Sequence, residues 1–314
     1  PPPPPVDVMP AVNLSPSLVQ QAAAYHGYMQ RASAIDAHFV DAPSVASALR
    51  AGAAYEPQQF LRGALAYAAL AALQDQTFVA SMRAAGRDRA SRQAIEYALL
   101  SNPATVMQYP GATNAAALSV AALHGEGMRL FTTGRAVKQA AYDTQRQAWA
   151  NLRIQGTAER LAAVRTLSQT PLVPDPTEAA RLGQSYRGVP SLGLTPDPEA
   201  RAPYSPLVAR AVTLAALAAM GMAGDDALGR IMPNLTDPEA GFCLNMAKLN
   251  LYQCLAVAGP QYEDMFCLGQ HVLMDTGACL IRGSGVALPM EARPPPPPAP
   301  RRPHPPRRSH AARR

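Results

Sequence analysis

The chain of 314 residues has little of what builds sheets or declares a site. Aromatic residues make up only 6% of it, and no run alternates Val, Ile, Thr and aromatic residues with period two. Half-buried strands need that alternation, so a sheet protein is excluded and an all-α, multi-helical body is predicted. No stretch reaches the eighteen or so consecutive apolar residues that a membrane-crossing helix requires. The best candidate, residues 211–224, is bounded by Arg210 and Asp225 and reads as a buried helix. Lysine is nearly absent (Lys138 and Lys248 only), which we read as composition bias rather than function. No GxSxG elbow, GxxxxGK[ST] loop, HExxH or CxxC occurs. The common nucleophile, phosphate and metal signatures are therefore missing, no cofactor is implied, and enzymatic activity has no support at this level.

What is there concentrates between Asp237 and Ile281, a stretch holding all four cysteines: Cys243, Cys254, Cys267 and Cys279. Asp237-Pro238-Glu239 is a helix start, with a capping acceptor, a proline whose missing N–H is harmless there, and an acid at the positive end. Gly259-Pro260 breaks the stretch, and Gly277 is the expected stop of a second helix. Helices joined by so short a turn pack antiparallel. The cysteines are nearly symmetric about that turn, so bridges Cys243–Cys279 and Cys254–Cys267 would form two rungs across a hairpin. Pairing Cys243 with Cys254 would span roughly 16 Å of helix, beyond the ~7 Å that a disulfide tolerates. Two alternatives stay open: four reduced core cysteines, and a metal site, although zinc sites favour cysteines two to four apart.

The remainder divides by composition. Residues 1–12 are a proline-rich lead-in, and 13–170 form an N-terminal helical region. Ser15-Pro16 opens a helix through about Ala34; a short one follows near 43–52; Glu56-Pro57 opens another; a further one runs from Arg87 to Leu100. Residues 103–114 read as a loop, 115–123 as a helix, and His124-Gly125-Glu126-Gly127 as an interruption before a long helix over 135–154 carrying Trp149. Residues 171–205, rich in proline and glycine, are a linker or a long loop over a single core. Ser205-Pro206 reopens regular structure, 206–286 form the C-terminal helical region, and 287–314 are a disordered proline- and arginine-rich tail.

The net charge of +6 belongs to that tail, since seven arginines and no acids follow from Arg293 onward. Arg301, Arg302, Arg307, Arg308, Arg313 and Arg314 form pairs spread along a stiff proline-rich strand, a pattern suited to phosphate or carboxylate polymers or to an envelope protein. Without interleaved aromatic residues, sequence-specific nucleic-acid reading is not expected. Asp36 with His38, near Asp41 and twelve residues after His26, and His124 with Glu126 between glycines, are the weak candidates for a histidine–carboxylate site. His271 is more simply a seam or core position. The expectation is a non-enzymatic structural or binding protein of the cell envelope, periplasmic or secreted, because disulfides persist in oxidising compartments. The alternatives are a hydrolase or metal-dependent enzyme around Asp36, His38, His124 and Glu126, and a cytosolic nucleic-acid-associated protein with reduced cysteines.

Overall fold

Proline placed directly after a side-chain acceptor opens many of the helices. The computed structural model describes residues 9–186 and 191–290, and the arginine pairs of the tail lie outside them. Helices α1 (Pro16–Ser33), α2 (Ala42–Ala53), α3 (Pro57–Ala72), α4 (Gln76–Ala85) and α5 (Arg89–Ser101) come first. A long α6 (Ala112–Asp143) follows, then α7 (Thr157–Leu167), α8 (Pro176–Ser185), α9 (Pro206–Ala219) and α10 (Leu228–Leu235). The chain closes with α11 (Pro238–Val257), α12 (Gln261–Cys267), a π-helical segment (Leu268–Met274) and α13 (Asp275–Ser284). No strand occurs among the described residues. Ser15, Glu56, Asp175, Ser205 and Asp237 each accept a hydrogen bond from a backbone N–H of the first turn, and proline follows each one directly. This relieves orphan donors where proline's missing N–H is harmless. Asp75 caps α4 in the same way without a proline, and that helix was not foreseen.

Helix α6 is the axis of the molecule, packing against α1, α3, α9, α12, the π segment and α13. It runs unbroken through His124–Gly127, correcting the expected interruption. An interior glycine weakens a helix by about 1 kcal/mol relative to alanine, but here it permits a crossing. A Cβ on Gly127 would stand 2.9 Å from the Gly277 carbonyl oxygen, and one on Gly134 would stand 2.7 Å from the Gly269 carbonyl oxygen. Backbone meets backbone at both points, and only glycine leaves the room. Gly277 is accordingly not a helix stop. The helix continues to Ser284 and ends at Gly285, whose φ of 83° is left-handed.

Two further expectations fail for local reasons. The helix expected over 135–154 ends at Asp143, where the Thr144 hydroxyl donates back to the Ala140 carbonyl at 2.8 Å, and two short 3₁₀ turns (Thr144–Arg146 and Trp149–Asn151) follow. The loop expected over 103–114 contains a 3₁₀ helix, Pro103–Gln108, and the start of α6. Helices from both sides of residues 171–205 pack together, α3 on α9 and α6 on α13, around a shared core.

The disulfides are Cys243–Cys279 and Cys254–Cys267, each with Cα atoms 5.7 Å apart, and they tie α11 to the antiparallel rod α12–π–α13. Eleven residues between Cys243 and Cys254 are close to three whole α-helical turns. The twelve between Cys267 and Cys279 would make about 3.3 turns of ideal α-helix, leaving the second sulfur pointing away. The π segment lies between them. Its i→i+5 bonding winds more slowly, so the same twelve residues complete about three turns and both cysteines face α11.

Candidate functional site: a groove walled by the hairpin turn

The inner disulfide sits at the end of the hairpin nearest the turn, and that turn is paired to another segment. The Ile154 N–H donates to the Gly259 carbonyl at 2.8 Å, and the Gln261 N–H donates to the Leu152 carbonyl at 3.2 Å. The strip 152–154 thus becomes one wall of a groove of about 670 Å³, closed on its other sides by α2, α7 and the start of α12. Such a volume lies within the range of small-molecule sites, roughly 300–1,000 Å³. Its lining is mostly aliphatic: Ala46, Leu49, Leu152, Ile154, Ala163 and Val164.

Arg160 and Asp264 also line the groove. One Arg160 nitrogen bonds both carboxylate oxygens of Asp264 at 2.7 Å, and the other donates to the Leu255 carbonyl. Burial pushes the Asp264 carboxyl up to about 6, more than the Arg160 guanidinium pulls it down. Arg50 and Arg153 line the same groove and meet no carboxylate among the described residues, while Glu159 is the acid nearest in sequence. A second hollow of about 510 Å³ lies where the same two chain segments continue, lined by His38, Phe39, Asp143, Gln147 and Trp149.

No family model matches the chain, and no curated protein or solved structure is similar to it. Function has to be read from geometry.

The four sequence-predicted site residues do not converge. His38 lies in the second hollow, and its N–H donates to the Asp36 carboxylate at 2.9 Å. Ala140, which lines that hollow, is sixteen residues along α6 from His124, roughly 24 Å at about 1.5 Å per residue. His124 and Glu126 point to different sides of α6. His124 Nδ1 meets Asp197 at 2.7 Å, whereas Glu126 is buried beside His26 and Arg129. His26, stacked on Tyr67, holds Glu178 at 2.7 Å through Nδ1 and faces Glu126 at 3.6 Å through Nε2.

Burial raises the Glu126 carboxyl despite Arg129 and His26. Burial also pushes Glu178 upward, but its hydrogen bonds to Arg181 and His26 outweigh this and hold it below the ordinary value. The two carboxylates address opposite nitrogens of one ring, so they do not share a point where a metal could sit. His271 holds Asp275 one helical turn away at 2.9 Å, a seam contact.

Sequence reasoning passed over Lys248, and the structure buries it. Its ammonium donates to the Ala53 carbonyl at 2.7 Å and to the Ser168 hydroxyl at 3.2 Å, and it lies 3.4 Å from the centre of the Tyr55 ring. Burial drives its pKa well below the ordinary lysine value. The available signal was its position: Lys248 follows Leu244 by four residues and precedes Leu251 by three, placing it on the buried stripe of α11. Arg160 was missed because its partner, Asp264, is distant in sequence.

Proposed function

We propose that the protein is a non-enzymatic binding protein of an extracytoplasmic, oxidising compartment, periplasmic or secreted, and that its ligand site is the groove between α2 and α7. The observation that carries this reading is that the sulfur-tied hairpin turn is itself a wall of the groove. Oxidation of Cys254 and Cys267 therefore shapes the binding surface as well as stabilising the chain. Disulfides of this kind persist where thiols are not kept reduced. The arginine pairs at 301–302, 307–308 and 313–314 would add a salt-sensitive, sequence-independent hold on an anionic polymer of the envelope.

Intact mass after alkylation, with and without reductant, tests the compartment on protein taken from its native source. Two bridges are expected, and free thiols at all four positions would overturn the reading. Deleting residues 291–314 tests the arm. Binding to a polyanion such as heparin should weaken and lose its salt dependence, and unchanged binding would remove the arm from the proposal.

A further inference from the structure

The largest groove fits one ligand chemistry better than others. Its walls are aliphatic and carry no aromatic ring, so a flat base or ring system finds no stacking platform. An extended peptide fares no better. The backbone of the wall is already used, Ile154 N–H on Gly259 and Leu152 C=O by Gln261, so an added strand would find those groups occupied. What remains is a chain of methylenes, which needs contact and no hydrogen bonds.

Charge fixes the other end. Arg160 is neutralised by Asp264 in the groove, which leaves Arg50 and Arg153 against Glu159, a net positive lining. Leu152, 60% exposed, extends the apolar surface outward beside Arg153.

We propose that the α2–α7 groove is an acyl-chain site that takes a single long-chain carboxylate, its hydrocarbon along Leu49, Leu152, Ile154 and Val164 and its head group at Arg50 and Arg153. The proposal rests on the binding-protein reading and narrows it to one ligand class. The occupant is a monomeric amphiphile, and a lipid surface is the competing source of the same head-group chemistry.

Calorimetric titration of the full-length, disulfide-intact protein with decanoate, dodecanoate and tetradecanoate, each below its micelle concentration, tests it. One molecule should bind per chain. Affinity should rise by up to about fourfold per added methylene until the groove is filled. Ala46→Trp, which places a ring in the groove from a half-exposed position, should abolish binding while leaving thermal unfolding unchanged. Arg50→Gln combined with Arg153→Gln should weaken dodecanoate about tenfold or more and leave the methyl ester of the same chain unaffected. Affinity independent of chain length, or full binding by Ala46→Trp, would overturn the proposal, as would binding to anionic vesicles without binding to monomeric carboxylate. The two readings fail separately. Loss of carboxylate binding with the arm still holding heparin sinks only the acyl site, whereas reduced cysteines in native protein sink the compartment and leave the titration intact.

Discussion

The hairpin Pro238–Ser284 and the segment 171–205 both close over the same core, and they are held by different chemistry. The hairpin is tied by sulfur at two heights and by glycine contacts to α6. The segment buries Leu182 fully but is otherwise fastened by polar side chains. His26 meets Glu178, His124 meets Asp197, and Gln59 and Gln74 bond the backbone at Leu172, Ser185 and Leu192. A covalent clasp is indifferent to pH, while a carboxylate clasp responds to it. The hairpin should therefore open only with global unfolding or reduction, and the segment should open by itself, at lower free energy and with acid.

The largest effects come from cutting sulfur. In the loop-entropy account, losing Cys243–Cys279, with a sequence separation of 36, should cost about 4 kcal/mol, and losing Cys254–Cys267, separation 13, about 3 kcal/mol. Because the loops are nested, removing both should cost less than the sum. Urea denaturation of Cys243→Ser/Cys279→Ser and Cys254→Ser/Cys267→Ser variants measures each. If the inner pair proves the costlier, the π segment is strained in its absence and loop length is not the controlling quantity.

Gly134→Val comes next and attacks the noncovalent half of the hairpin's hold. The new side chain would collide with the Gly269 carbonyl and the Met274 backbone, so about 1–3 kcal/mol should be lost, read from the denaturation midpoint. This site also marks where sequence reasoning stopped. Helix starts were legible because capping is local: Ser15-Pro16 and Asp237-Pro238 state their own chemistry within four residues. The disulfide pairing was legible because symmetry about Gly259-Pro260 and helical rise are arithmetic. Gly125, Gly127 and Gly277 were misread as breaks because a glycine that ends a helix and one that admits a neighbouring helix look alike until the neighbour is known. The candidate groove was invisible for the same reason, since its walls come from α2, 152–154, α7 and α12, and Asp264 finds Arg160 only in the fold.

The segment should respond to a smaller change. Glu178→Gln removes the charge that His26 and Arg181 hold and should cost about 1 kcal/mol, since one charge-assisted contact is exchanged for a weaker one. Hydrogen exchange at the α8 amides should quicken while amides of α11 keep their protection. Because the folded carboxyl sits below its ordinary value, its contribution is present above the unfolded glutamate range, near pH 4, and is lost as pH falls through the lowered folded value. Acid should thus release α8 ahead of the hairpin. Equal exchange in both regions at every pH would erase the contrast between the clasps.

The smallest effect is expected where the buried charge is greatest. Lys248→Met replaces an ammonium enclosed by Ala53, Ser168 and Tyr55 with a side chain of similar length and no charge to desolvate. The Ser168 hydroxyl still reaches the Ala53 carbonyl at 3.2 Å, so that acceptor keeps a donor after the exchange. Loss of two hydrogen bonds and relief of desolvation nearly cancel, and stability at neutral pH should change by about 1 kcal/mol or less. The pH dependence is the sharper readout. Between its lowered folded value and about 10.4, Lys248 binds fewer protons in the native than in the unfolded state, so the parent protein gains stability as pH rises through that window. Methionine should flatten the rise, measured as urea midpoints from pH 7 to pH 9. A loss above about 3 kcal/mol with the slope unchanged would mean that the ammonium's bonds outweigh its burial. The hairpin would then share with the segment a dependence on polar contacts, in addition to its sulfur.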